Sequence, residues 1–259
     1  MAKKSGLGQQ IFVHGYDLSG DVAAIDNAGS PRELLDITGL NASAHERVMG
    51  LSDGNLGVSS WFNDATEQEH AAFKGLVTTD RIVTWAFGAT RGDVAACLVG
   101  KQINYDPSRG ADGSLSFTID TQADGVSLDW CDTLTTGKET HSSAGNSTSR
   151  DDGAASSAGM VAYLEITDID SGTPTVTIQQ SSDNGSSDAF ATVLSFTAVA
   201  AAAAPTAERV TVSGAVERYL RITTTGTFSN LDFCVSTRRG TSQDAVSYTH
   251  LTLPTNREV

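Results

Sequence analysis

Cysteine is scarce in this chain of 259 residues: Cys97, Cys131 and Cys234 are odd in number, far apart, and form no C-x-x-C pair. That spacing speaks against a disulfide framework and a thiolate zinc site, and buried free thiols are the expectation. Aromatic residues make up only 7%, while Gly, Ser, Thr and Ala abound, a profile of strands and turns rather than a helical bundle. Cations are in deficit, 17 Lys and Arg against 31 Asp and Glu, for a net charge of −14. Gripping nucleic-acid phosphates needs clustered Lys and Arg, so specific DNA or RNA binding is set aside. No run of about 18 apolar residues occurs, so no membrane-spanning helix is read. The Ala-rich "FTAVAAAAAPTAERV" comes closest and is stopped by Pro205. "MAKKSGLGQQ" opens with basic residues but lacks an apolar stretch behind them, so no secretory signal is read and synthesis is expected to end in the cytoplasm.

What is present is short alternation. Leu115, Phe117 and Ile119 share one face of "SLSFTID"; Val126, Leu128 and Trp130 share one face of "VSLDW"; Val83, Trp85 and Phe87 do so in "RIVTWAFG". "MVAYLEITDI", "PTVTIQQSSD", "FATVLSFTAV", "ERVTVSG", "RYLRITTTG" and "LDFCVSTRR" add further strands in the second half. Period-two runs bounded by Gly, Asp and Ser predict antiparallel strands of a sandwich or barrel. One helix is predicted in "NDATEQEHAAFKGLV", with Thr66 as N-cap, Glu69 closing a capping box, and Ala72, Phe73, Leu76 and Val77 on one face. Residues 136–158 are rich in Ser, Gly and Thr and read as a linker. It would divide a first domain, 1–135, from a second, 159–240, with 241–259 as a tail.

Catalytic chemistry is hard to find. His14, Asp17, Ser19 and Asp21 crowd into "IFVHGYDLSGD", but triad members are brought together by the fold, and no G-x-S-x-G elbow accompanies them. Gly15 and Gly20 make a strand–turn–strand reading sufficient. Asp168 and Asp170 in "DIDSG", and Asp183 and Asp188 in "SSDNGSSD", are weak metal candidates lacking EF-hand spacing, and Asp-Asn-Gly is first a hairpin turn. His45, Glu46, Glu69 and His70 lack H-E-x-x-H spacing, and no phosphate loop appears. A non-enzymatic protein without a cofactor is expected.

The order of segments carries more. "DLSGDVAAID", "RELLDITGLNASAHERVMGLSDGNLGVSSWFN", a short helix, paired strands and "GVSLDWCDTL" together resemble the major tail (tail tube) proteins of long-tailed bacteriophages. The second half, with "VTIQQSSDNGSSDAF", "RVTVSGAVERYLRI" and "LDFCVSTRR", looks like the jelly-roll or discoidin-like domains appended to them. The likeness covers about residues 8–240. Separately, Ser247 to Thr255, "SYTHLTLPT", resembles a translated sequencing-library adapter, which would make the tail largely artefactual.

The resemblance implies a mainly β fold: a tail-tube-like β-sandwich or barrel with one short helix, then a second antiparallel, jelly-roll-like sandwich. It implies self-assembly into rings, usually hexameric, stacked into a tube within the virion tail after assembly in the host cytoplasm. The channel would hold a tape-measure protein and pass viral DNA without binding it. The second domain would project outward and could meet host-surface glycans. Assembly residues would come from the N-terminal arm and the loop Gly39–Asn55: Ile11, Val13, His14, Asp17, Asn41, His45, Met49 and Asn55. The alternative is a carbohydrate-binding or head-decoration β-sandwich module.

Overall fold

The computed structural model describes residues 5–240. The predicted tail, 241–259, with its adapter-like stretch lies outside the described residues, as do residues 1–4 of the N-terminal arm. The first half runs β1 (Gln10–Val13), β2 (Tyr16–Asp17), β3 (Val22–Gly29), β4 (Arg32–Asp36), β5 (Arg47–Ser52) and β6 (Asn55–Trp61). A short helix α1 (Glu69–Phe73) follows, then β7 (Arg81–Ala86), β8 (Val94–Gln102), β9 (Asp106–Arg109), β10 (Leu115–Ala123) and β11 (Asp129–Thr133). Three brief strands come next, β12 (Glu139–His141), β13 (Gly145–Asn146) and β14 (Arg150–Asp151). The rest is β15 (Met160–Gly172), β16 (Thr175–Ser181), β17 (Ala191–Ser195), β18 (Thr206–Val212), β19 (Tyr219–Thr225) and β20 (Phe228–Arg239). The fold is mainly β, with antiparallel sheets and one short α-helix.

A 13-stranded sheet runs in the order β18-β15-β20-β11-β8-β10-β6-β3, so strands of both halves lie in one ladder. The join is β11 with β20, where Asp132 faces Thr237 and Thr133 faces Ser236. A 5-stranded sheet, β13-β19-β16-β17 with β14 beside β19, covers one face of β15 and β20. Between them lies an apolar core that includes Leu164, Ile166, Ile178, Leu220, Ile222 and Phe233. The large sheet also curls on itself. Ile82, Ala86, Ala95 and Cys97 of β7 and β8 thereby pack on Val161 and Tyr163 of β15. Covered on both faces, β15 reads "MVAYLEI" without alternation, as a doubly buried strand must. All three cysteines are free and buried around this junction.

Two sequence readings are corrected. Residues 136–158 are not an open tether. They carry β12 to β14, and the guanidinium of buried Arg150 donates to the carbonyls of Asp132 and Thr133, to Asp152 and to Thr237 Oγ1. Low apolar content misleads here because this stretch is held by hydrogen bonds rather than by a core of its own.

The capping box does not form either. The helix is only one turn, starts after Gln68, and gets no cap bond from the Gln68 side chain. Glu69 instead turns inward, accepting from Ser60 Oγ at 3.0 Å and from Tyr105 Oη at 3.0 Å. Asp21 takes over the cap: its Oδ2 accepts from the Glu69 N–H at 3.0 Å while Oδ1 accepts from Asn63 Nδ2 at 2.8 Å. Ala72 and Phe73 do reach the core, but Leu76 is exposed.

Candidate assembly surfaces

The polar cluster near the N-terminus is a piece of internal carpentry. Its turn puts Gly15 at φ +88° against β15 and β18, so close that a Cβ would stand 2.3 Å from Thr206 N and 2.4 Å from Ile166 O. Only glycine fits such an approach. The Gly15 N–H donates to Glu165 Oε2 at 2.7 Å, and Thr84 Oγ1 lies 3.0 Å from Oε1. Burial is the largest influence on this carboxyl and outweighs both bonds, pushing it up to about 8. The first turn is thus clamped to the second half through a buried carboxyl that its surroundings bias toward the neutral form.

The predicted assembly residues divide sharply. Ile11 and Val13 are buried in the first-half core with Leu18, Leu56 and Leu98, so their surface is spent inside the subunit. His14 adopts φ +50°, and its Nδ1 is buried without a hydrogen-bond partner; burial, then the charge of Arg81, lowers its pKa. Asp17 accepts from Ser19 and pairs with Lys138 Nζ at 2.9 Å. Burial opposes the ionised form, but those bonds outweigh it and lower its pKa. Asn55 is half-buried where β6 starts. Asn41, His45 and Met49 are exposed.

Those three belong to the hairpin of β4 and β5, which forms a two-stranded sheet of its own. Its register sets Leu34 opposite Met49, Leu35 opposite Val48 and Asp36 opposite Arg47. Side chains alternate along a strand, so Leu34 and Met49 lie on one face and Leu35 and Val48 on the other, while Leu51 sits in a bulge of β5 where the register shifts. Every one of them is exposed, Met49 at 60% and Leu51 at 90%, and Ile37 and Leu40 beyond β4 are open as well. His45 Nδ1 bonds Asp36 Oδ2 at 3.0 Å and steadies the loop end. An isolated two-stranded hairpin is at best marginal in water, and this one leaves aliphatic side chains open on both faces.

The metal candidates do not converge. Asp168 and Asp170 lie on β15, where Asp168 Oδ1 accepts from the Ile169 N–H and Asp170 Oδ2 accepts from Asn230 Nδ2. Asp183 accepts from the N–H groups of Ser186, Ser187 and Asp188, and Asp188 from Ser182, closing the β16–β17 turn. Among the described residues no group of three His, Cys, Asp or Glu is placed to hold a metal.

A second cluster of apolar side chains is legible in the sequence only in part. Trp85, Ala96 and Trp130 are in register across β7, β8 and β11, and therefore share a face. The Phe87 ring lies 4.3 Å from that of Trp85 and edge-on to Trp130 at 5.9 Å. Trp130 remains 51% exposed and Val94 beside it is open. Sequence alternation puts Trp85 and Phe87 on one face, but does not tell that the face continues past the core into solvent.

No family model matches the chain, and no curated protein matches it. Among solved structures it is similar to a protein of the tail of an empty gene transfer agent particle, refined with C6 symmetry. That match has a TM-score of 0.39 and 14% identity, over 50% of this chain and 98% of that one. It is similar to the Dit protein of phage SPP1, at TM-score 0.33 and 10% identity over 89% of this chain and 99% of that one. It is also similar to a chain of the phage p2 baseplate, at TM-score 0.29 and 8% identity over 90% and 98%.

Proposed function

We propose that the chain is a non-enzymatic structural subunit of a bacteriophage tail, building the tail tube by self-assembly. The observation that carries this reading is the β4–β5 hairpin, whose two faces are both aliphatic and both uncovered within the subunit. A lone subunit has no use for such an element, whereas an assembling one gains by burying it. The edge strands also fit. β3 closes one end of the large sheet with register shifts after Val22 and Ile25. Bulges of that kind discourage indiscriminate edge pairing. A net charge of −14 suits a channel that must pass DNA without holding it, although the chain's own surfaces give the reading its weight. In this reading the first half is the tube body, the second sandwich faces outward, and a tape-measure protein fills the lumen.

Replacing Leu34 and Met49 together by Asp tests it by sedimentation velocity. The wild-type chain should form large species as concentration rises. The double variant should stay monomeric with an unchanged melting temperature, because neither side chain is buried in the subunit. Equal assembly by both proteins would refute the reading.

A further inference from the structure

The hairpin needs a receptor, and the chain carries a second apolar surface that is open at Trp130 and Val94, with Trp85 and Phe87 half-buried beside them. Resting on the assembly reading above, we propose that the Trp85–Phe87–Trp130 patch of one copy receives the β4–β5 hairpin of the next. Three observations favour this pairing. The first is area. The exposed aliphatic residues between Leu34 and Leu51 leave on the order of 800 Å² open over the two hairpin faces and the loop, so the face that meets the patch supplies part of one partner's share of a standard interface.

The second is shape. A cleft of ≈ 250 Å³ opens beside the patch, lined among others by Leu7, Gln9, Ile11, Ile25 and Trp85. A cleft of this size has room for one or two side chains of a neighbouring copy. Leu40, fully open beyond β4, is such a side chain. Trp85 has its Nε1–H donated to Gln9 Oε1 at 3.2 Å, which fixes the indole at the cleft wall.

The third is charge. Arg47 and Met49 share one hairpin face, and exposed Asp132, with Arg150 beside it, shares a face with Trp130 on the patch. Opposite charges beside the apolar contacts set register.

The two surfaces are different parts of one chain, so their union is head-to-tail. Such contacts propagate into closed rings or open filaments rather than stopping at a symmetric dimer. Tryptophan at the centre of the receptor fits the enrichment of that residue among binding hot spots.

The test is complementation between two crippled chains. The Leu34→Asp/Met49→Asp variant keeps its patch but loses the hairpin's apolar face. Trp130→Ser keeps the hairpin but loses the patch centre, and Val94→Arg, on the same exposed edge, serves as a second patch variant. Circular dichroism and melting confirm that each one folds. Each alone should need roughly tenfold or more protein to assemble. Mixed one to one, a hairpin variant and a patch variant should form a dimer of two chains and nothing larger, with a blue shift in the fluorescence of the remaining native Trp130.

If the patch variants assemble like wild type while the hairpin variant does not, the receptor lies elsewhere and this proposal falls, but the hairpin reading stands. If a patch variant closes into a dimer with itself, the contact is hairpin on hairpin and the proposal is overturned. If the hairpin variant assembles normally, or the wild-type chain never assembles, the underlying reading falls and takes the proposal with it.

Discussion

Replacing Glu165 by Gln should stabilise the protein increasingly as pH rises. Glu165 is completely buried, receives the Gly15 N–H at 2.7 Å and meets Thr84 Oγ1 at 3.0 Å. Burial shifts its carboxyl from an ordinary 4.5 to about 8, against the smaller pull of the two hydrogen bonds. The unfolded chain releases this proton near 4.5, while the folded chain keeps it until about 8. Between those values the folded state binds more protons, so stability falls as pH rises, and the slope vanishes above the window. Each unit is worth about 1.4 kcal/mol, which gives roughly 4 to 5 kcal/mol across the full span. An amide keeps both contacts, accepting from Gly15 and donating to Thr84, without a proton to lose. Urea unfolding of both proteins from pH 5 to 9 isolates this group from all others that titrate. The difference should be near zero at pH 5, grow to several kcal/mol by pH 8, and stay level beyond. Parallel curves would refute the reasoning, because they would mean that Glu165 is ionised in the fold.

The same clamp makes Gly15→Ala costly. A methyl group 2.3 Å from Thr206 N, on a backbone at φ +88°, should cost more than about 3 kcal/mol in urea unfolding or prevent folding. Tyr163→Phe tests another buried tie between the halves. Its hydroxyl donates to Asp129 Oδ2 at 2.5 Å and accepts from Arg209 Nε at 3.0 Å, and its loss should cost about 1–3 kcal/mol by the same measurement. A neutral result would mean that water replaces the hydroxyl without penalty.

Alternation alone makes most strands readable in the sequence. In "LDFCVSTRR", Leu231, Phe233 and Val235 all face the core, and in "RYLRITTTG" Leu220 and Ile222 do the same. Local pattern fails where distant parts of the chain intervene. Glu69 has the spacing of half a capping box, yet Ser60 and Tyr105 draw it inward while Asp21 caps the helix from 48 residues away. Arg150 in a Ser- and Gly-rich stretch gives no sign that it ties together carbonyls from β11. His14 and Asp17 stand out as polar residues near a terminus, but their neighbours are Arg81 and Lys138, which sequence distance hides. The hairpin is half legible. The family resemblance points to the loop Gly39–Asn55, but the open leucines before it, Leu34 and Leu35, pass in sequence for ordinary core residues. Which aliphatic strand is left uncovered depends on what the rest of the fold can reach.

The subunit leaves both faces of the β4–β5 hairpin uncovered, and self-assembly would bury them. Negative-stain microscopy of the purified wild-type chain at increasing concentration tests it most directly. Rings, or tubes built from stacked rings, are the predicted result, and they should be absent from the Leu34→Asp/Met49→Asp variant imaged in parallel. Isolated single subunits at every concentration, with the hairpin still exposed, would contradict the account.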